Sequence, residues 1–153
     1  ELDQEYTTTA INDFSYFVAK YPNSSRVDEC NEKIKELNER LAEKSYLSAR
    51  LYYDMDQYKA AITALTNSLN TYSDSKFREE MMYLRLSSLY KYAANSVPDR
   101  QQERYQEAFE EYFSFSEEFP SSVYSKEARR IYISSAKFLN IDIQDTETTS
   151  DIQ

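Results

Sequence analysis

Apolar residues recur along this chain at alternating steps of three and four, the spacing that gathers side chains on one face of a helix. Tyr6, Ala10, Ile11, Phe14, Phe17, Val18 and Tyr21 draw the first such face. Pro22 ends it, because the residue before a proline is pushed out of the α region. Ser24 and Ser25 then stand where a new helix is capped, with Asp28 and Glu29 placing negative charge in its first turn. The next helix carries Val27, Cys30, Ile34, Leu37 and Leu41 as a packing seam. Neither glycine nor proline interrupts it before Asp54. One long helix through Met55 and two helices breaking near Lys44 and Ser45 are both open readings.

The same pattern is written three times. Ala10-Ile11 precedes Tyr21-Pro22-Asn23-Ser24, Ala61-Ile62 precedes Tyr72-Ser73-Asp74-Ser75, and Ala108-Phe109 precedes Phe119-Pro120-Ser121-Ser122. The alanine stands eleven residues before the closing aromatic in each copy. Glu29, Glu80 and Glu127 align after the three serines. Each copy therefore reads as a helix, a turn and a second helix, and such a repeat governs the fold before any single residue does. The helix beginning near Lys76 is apolar almost all round, through Met81, Met82, Leu84, Leu86, Leu89, Tyr90, Tyr92 and Ala93, so it is expected to be central. Around Pro98 the chain has loop chemistry, and the polar run after it starts the third copy's helix. The last helix is expected over about 123–139, with Lys126, Arg129, Arg130 and Lys137 on a solvated outer side.

Composition sharpens this picture. The 153 residues contain no glycine, histidine or tryptophan, but 15 tyrosines and 8 phenylalanines. Without glycine, tight hairpins and phosphate-cradling loops are disfavoured, which leaves an all-α chain. Tyrosine suits a thin stack with much surface, since its ring packs while its hydroxyl stays wet. The net charge of −9 with no basic stripe argues against nucleic acid. No run of residues is long and apolar enough for a membrane span, and no signal peptide opens the chain. Residues 140–153 are polar and acidic, and are expected to form a disordered tail after a helical domain over 1–139.

An enzyme reading fares badly. With no histidine and one cysteine there is no Ser-His or Cys-His pair and no ordinary zinc site. The adjacent acids Glu79/Glu80, Glu110/Glu111 and Glu117/Glu118 point in different directions on a helix and read as solvated faces. Cys30, on the apolar seam, reads as a small core hydrophobe. No catalytic residue, metal or cofactor is expected.

The pattern is similar to the tetratricopeptide repeat, in which small residues let two helices approach closely. Setting Ala61 as the small residue of a second helix places Ala49 and Tyr52 on the small and aromatic positions of the first, and Leu65 on the bulky position. The copies are spaced irregularly, 51 residues from Ala10 to Ala61 and 47 from Ala61 to Ala108, against about 34 in the standard repeat. This predicts an irregular helical-hairpin solenoid with a closing helix. In such stacks the first helix of each pair lines the concave face. Glu43, Tyr46, Arg50, Tyr53 and Asp54 are expected to project there, with Leu84, Ser88, Lys91 and Tyr92 as equivalents on the next helix. Tyrosine beside arginine is the composition of interface hot spots. Packing against the neighbouring helix is the second reading for Tyr46 and Tyr53, and an external salt bridge for Arg50.

The ordered run Tyr21-Pro22-Asn23-Ser24, Arg40-Leu41-Ala42 through Ala49-Arg50-Leu51-Tyr52-Tyr53, then Ala60-Ala61-Ile62, resembles the BamD family of outer-membrane protein assembly lipoproteins. The resemblance covers residues 6–139 and implies the C-terminal part of such a protein, with its lipidated cysteine upstream of Glu1. Cys30 is not that cysteine, since Arg26-Val27-Asp28-Glu29 precedes it without an apolar run. Members often carry Asn-Arg after Ala-Ala-Ile where this chain has Thr63-Ala64, so a partner contact made by that arginine is not implied here. The resemblance implies a non-catalytic scaffold on the periplasmic face of the outer membrane, docked on a POTRA domain of a BamA-like barrel subunit. A Tol-Pal-associated adaptor and a peptide-binding co-chaperone are the alternatives. Glu43 and Asp54 argue against the co-chaperone, which needs a basic concave face.

Overall fold

The computed structural model describes residues 4–143. Among these are six helices, α1 (Glu5–Lys20), α2 (Val27–Asp54), α3 (Tyr58–Thr71), α4 (Arg78–Ala94), α5 (Pro98–Glu118) and α6 (Ser125–Leu139). The three aromatic-x-x-Ser segments are one turn built three times. Tyr21, Tyr72 and Phe119 leave their helices at φ −129°, −124° and −128° with ψ 62°, 60° and 65°. Their amides donate to the carbonyls of Phe17, Ser68 and Phe115, each at 2.9 Å. The amides of Ser24, Ser75 and Ser122 then donate back to the three aromatic residues. The same serine hydroxyls accept from the amides of Arg26, Phe77 and Tyr124 at 3.3, 3.2 and 3.0 Å. Capping by Ser24 and Ser25 is corrected in position. The residue before α2 is Arg26, already in αR and without a side-chain cap bond, and Ser24 closes the turn ahead of it.

Among the described residues, positive φ occurs at Asp56 (57°) and Asn140 (56°), following α2 and α6. Aspartate and asparagine tolerate the left-handed region best after glycine, so the glycine-free chain uses them there. Ile141 also donates its amide to Ala136 and seals the end of α6. The acidic tail beyond, residues 144–153, lies outside the described residues. Residues 27–54 resolve into one helix, not two. Its 28 residues make it about 42 Å long at 1.5 Å per residue. Pro98 occupies the first turn of α5, where its missing N–H costs nothing, so the polar run after it is helical from the start.

Successive helices pack side by side, and α4 touches α2, α3, α5 and α6. The helices α2, α4 and α6 also contact one another in order, whereas α1, α3 and α5 make no such mutual contacts. The first set is the inner row of a tetratricopeptide-like stack and the second fans out around it. The small residues at the crossings are fully enclosed: Ala49, Ala61, Ala93, Ala108, Ala128 and Ala136 each have 0% exposure. Around them Leu65, Met81, Leu86 and Phe115 fill the core. Cys30 is buried in α2, as its place on the seam requires. The expectation for Tyr52 is corrected. It is 41% exposed, while its neighbour Tyr53 packs against the core.

The outer-row helix α5 is tied to α4 by two ion pairs. Arg78 Nη2 donates to Glu118 Oε2 at 3.0 Å, and Arg85 forks onto Glu111. The Arg78 hydrogen bond holds the Glu118 carboxyl below its ordinary pKa. A depressed carboxylate stabilises the fold above its unfolded pKa and loses that contribution as pH falls through the folded value. Glu118→Gln is therefore expected to be less stable than the parent at neutral pH and to converge with it in acid. Urea unfolding over a pH series checks this, and a constant gap at all pH values would refute it.

Candidate protein-binding face

The C-terminal half of α2 and the length of α4 run side by side in the inner row, and their facing side chains form one polar network. Tyr46, Arg50, Tyr53 and Asp54 lie on one side of α2 because their spacing of four, seven and eight matches two turns. Glu80, Ser87 and Lys91 do the same on α4. Arg50 Nη1 donates to the Tyr46 hydroxyl at 2.8 Å and to Glu80 Oε1 at 3.1 Å, and its Nε lies 3.8 Å from Asp54 Oδ2. One turn further on, Lys91 Nζ donates to the Tyr53 hydroxyl at 2.8 Å, which lies 3.0 Å from Ser87 Oγ. The ammonium sits 4.3 Å from the Tyr53 ring centroid and 5.3 Å from that of Tyr58. Tyr58 in turn hydrogen-bonds Asp56.

Five of the nine expected residues are thus brought together: Tyr46, Arg50, Tyr53, Asp54 and Lys91. Glu43, Tyr92, Leu84 and Ser88 are not. Glu43 is exposed further up α2, in a shallow concavity shared with Glu36, Glu39, Arg40 and Lys76. Tyr92 lies beside the network, lining an adjoining open cleft of about 1200 Å³ with Tyr52, Tyr58, Asn67 and Asn95. Its ring carries Arg104 at 4.0 Å. Within the network, Tyr46 is corrected from a projecting side chain to a buried one. It is 4% exposed and its ring stacks on Phe77 with centroids 4.7 Å apart. Leu84 and Ser88 are likewise buried, the Ser88 hydroxyl bonding the Leu84 carbonyl at 2.7 Å. α4 has neighbours on four sides, so most of its circumference is core.

Burial first, then the Glu80 carboxylate beside it, pushes the Tyr46 phenol above its ordinary pKa. The hydrogen bond that Arg50 donates to the Tyr46 hydroxyl is also the main reason Arg50 is held more firmly protonated. The hydrogen bond to Asp56 raises Tyr58. For Lys91, burial is the largest influence and pulls downward, but the Tyr53 hydroxyl and the charges around it outweigh burial and leave it raised. All four shifts are upward, so Tyr46 and Tyr58 stay neutral and Arg50 and Lys91 stay cationic at neutral pH.

Sequence reasoning missed Glu80, Ser87, Tyr58 and Asp56. Glu80, Ser87 and Lys91 at steps of seven and four were the available signal. The adjacent acids were read as solvated, yet Glu80, Glu111 and Glu118 each hold an arginine from another helix. Among the described residues no group of three or more potential metal-ligating side chains gathers. No described helix is long and apolar enough to cross a membrane.

A protein-family model described as YfiO, outer membrane lipoprotein, matches residues 1–80 and again 49–139. The chain belongs to this YfiO outer membrane lipoprotein family. The α2–α4 face is thereby a feature of a YfiO-family protein, with its network built from residues in both matched spans. No curated protein matches the chain.

Proposed function

We propose that this YfiO-family chain is a non-catalytic docking scaffold of the BamD type, acting at the periplasmic face of the outer membrane in the assembly and insertion of β-barrel proteins. Its α2–α4 face receives a POTRA domain of a BamA-like barrel subunit. The observation that carries this reading is the open inner-row face itself, where α2 presents Arg50, Tyr53 and Asp54 and hydrogen bonds to Glu80 and Ser87 brace it against α4. Rigid aromatic and charged groups on a preorganised surface are what a protein partner needs, since little side-chain entropy is then lost on docking. Family membership supplies the membrane context.

Titration of the chain with purified POTRA domains of a BamA-like protein tests the proposal. The parent chain is expected to bind, and Arg50→Glu with Tyr53→Ala to weaken binding by about 30-fold or more. Circular dichroism on both proteins verifies that the helices persist, because Tyr53 also packs on the core. Absence of binding by the folded parent chain would sink the POTRA reading.

A further inference from the structure

The cations that face the inner row are not equivalent. Arg50 already has two carboxylates, Glu80 and Asp54. Arg78 and Arg85 have Glu118 and Glu111. Lys91 differs. Among the described residues no carboxylate lies within ion-pair distance of its ammonium, and its one hydrogen bond goes to Tyr53. Asp56, the acid on that side, is engaged by the Tyr58 hydroxyl. Arg104 also lacks a carboxylate, but it belongs to the outer row and is closed off by Tyr92 and Ser96.

An ammonium has three N–H donors, so two of those on Lys91 are left without a protein acceptor. The side chain is nonetheless half-buried and fixed in place. Because Lys91 donates to the Tyr53 oxygen, the Tyr53 proton is free to point at Ser87 Oγ, a buried acceptor on the same helix. That relay orients the phenol and hence the ammonium. The two tyrosine rings attract the cation without cancelling its charge. A half-desolvated cation with unused donors at a recessed surface favours an incoming anion more strongly than a solvated one does.

We infer that Lys91 is the anchor for a single acidic side chain, an aspartate or glutamate, on the protein that docks against the α2–α4 face. This rests on the docking reading above and names the chemistry of its central contact. One ammonium between two rings suits a monoanionic carboxylate. Asp56, the carboxylate whose charge reaches this ammonium, disfavours a doubly charged phosphate, and the several cations that clamp a chain terminus are missing from this face among the described residues. Arg50, by contrast, is a bracing group whose charge is answered internally.

The test is a titration of POTRA domains of a BamA-like protein with the parent chain, Lys91→Arg, Lys91→Met and Lys91→Glu at several salt concentrations. Lys91→Met is expected to weaken binding about 30-fold, to flatten its salt dependence, and to leave the thermal midpoint within a few degrees of the parent. Lys91→Arg retains most of the affinity. An acid-to-lysine scan of the partner surface should yield one position whose defect is rescued by Lys91→Glu. A lysine that only serves the end of α4 would lower stability and leave binding alone. Binding by the parent that Lys91→Met leaves unchanged overturns the inference while the docking reading stands. If the parent does not bind POTRA domains, the docking reading fails, and poly-L-glutamate becomes the probe. A saturable shift of the Lys91 ammonium resonance, lost in Tyr53→Ala, then supports the anchor, and an unresponsive resonance refutes it.

Discussion

Phe115→Ala is expected to destabilise the protein by about 3–5 kcal/mol, the largest effect of any single truncation proposed for this chain. Phe115 is the largest fully buried side chain, 1% exposed, and its ring lies 6.3 Å from Tyr83 on α4 and 6.0 Å from Phe119. It therefore joins α5 to the central helix at the point where the third turn begins. The alanine would leave a cavity walled by helices that are already pinned by alanine contacts, so collapse into it is limited. In a stack where each layer touches only its neighbours, the damage stays local. Hydrogen exchange should accelerate first in α5 and α6, with α2 and α3 protected for longer. A loss below about 1 kcal/mol in denaturant unfolding would show that the site relaxes, contrary to this packing.

Arg85→Ala is expected to cost about 3 kcal/mol at neutral pH. Arg85 forks onto Glu111, Nε to Oε1 at 2.9 Å and Nη2 to Oε2 at 2.6 Å, with the two side chains 22% and 11% exposed. Burial is the largest influence on Glu111 and pushes its pKa up, against the pull of Arg85. Removing the arginine strands that carboxylate in a partly dry site and raises it further. A group whose folded pKa lies above its unfolded value binds protons better in the folded state, so its penalty shrinks as pH falls through the folded value. The gap between Arg85→Ala and the parent should therefore narrow in acid. The paired replacement Arg85→Met with Glu111→Leu should recover most of the lost stability, because it removes both charges and keeps the volume. A double variant no better than Arg85→Ala would mean that the pair contributes more than mutual neutralisation.

The helix order and the turns were legible because local chemistry fixes them. Pro22 and Pro120 stop helices wherever they occur, and Ser24, Ser75 and Ser122 close the same turn by bonds that reach only two residues ahead. The continuity of α2 was undecided for a related reason. Nothing between Val27 and Asp54 forbids a helix, and nothing in the sequence there requires an unbroken one. Half of the site was visible as residues on α2 at helical spacing. The remainder depended on which neighbour each side chain meets. Tyr52 and Tyr53 are adjacent and chemically identical, and only Ser87 and Lys91, more than thirty residues away, select Tyr53 for the network. Likewise Leu84 and Ser88 were placed on the open face by counting along α4, but a helix enclosed on four sides leaves a narrower strip than the count assumes.

The unbroken α2 also has a mechanical meaning. Its first half is the seat of α1, which has no buried residue and touches no other described helix. Its second half carries Arg50 and Tyr53. A shaft of 28 residues with neither glycine nor proline has no joint at which bending can be absorbed. A tilt imposed at the α1 end is carried along the shaft to the α2–α4 face as a change of angle, so the two ends turn as a single lever.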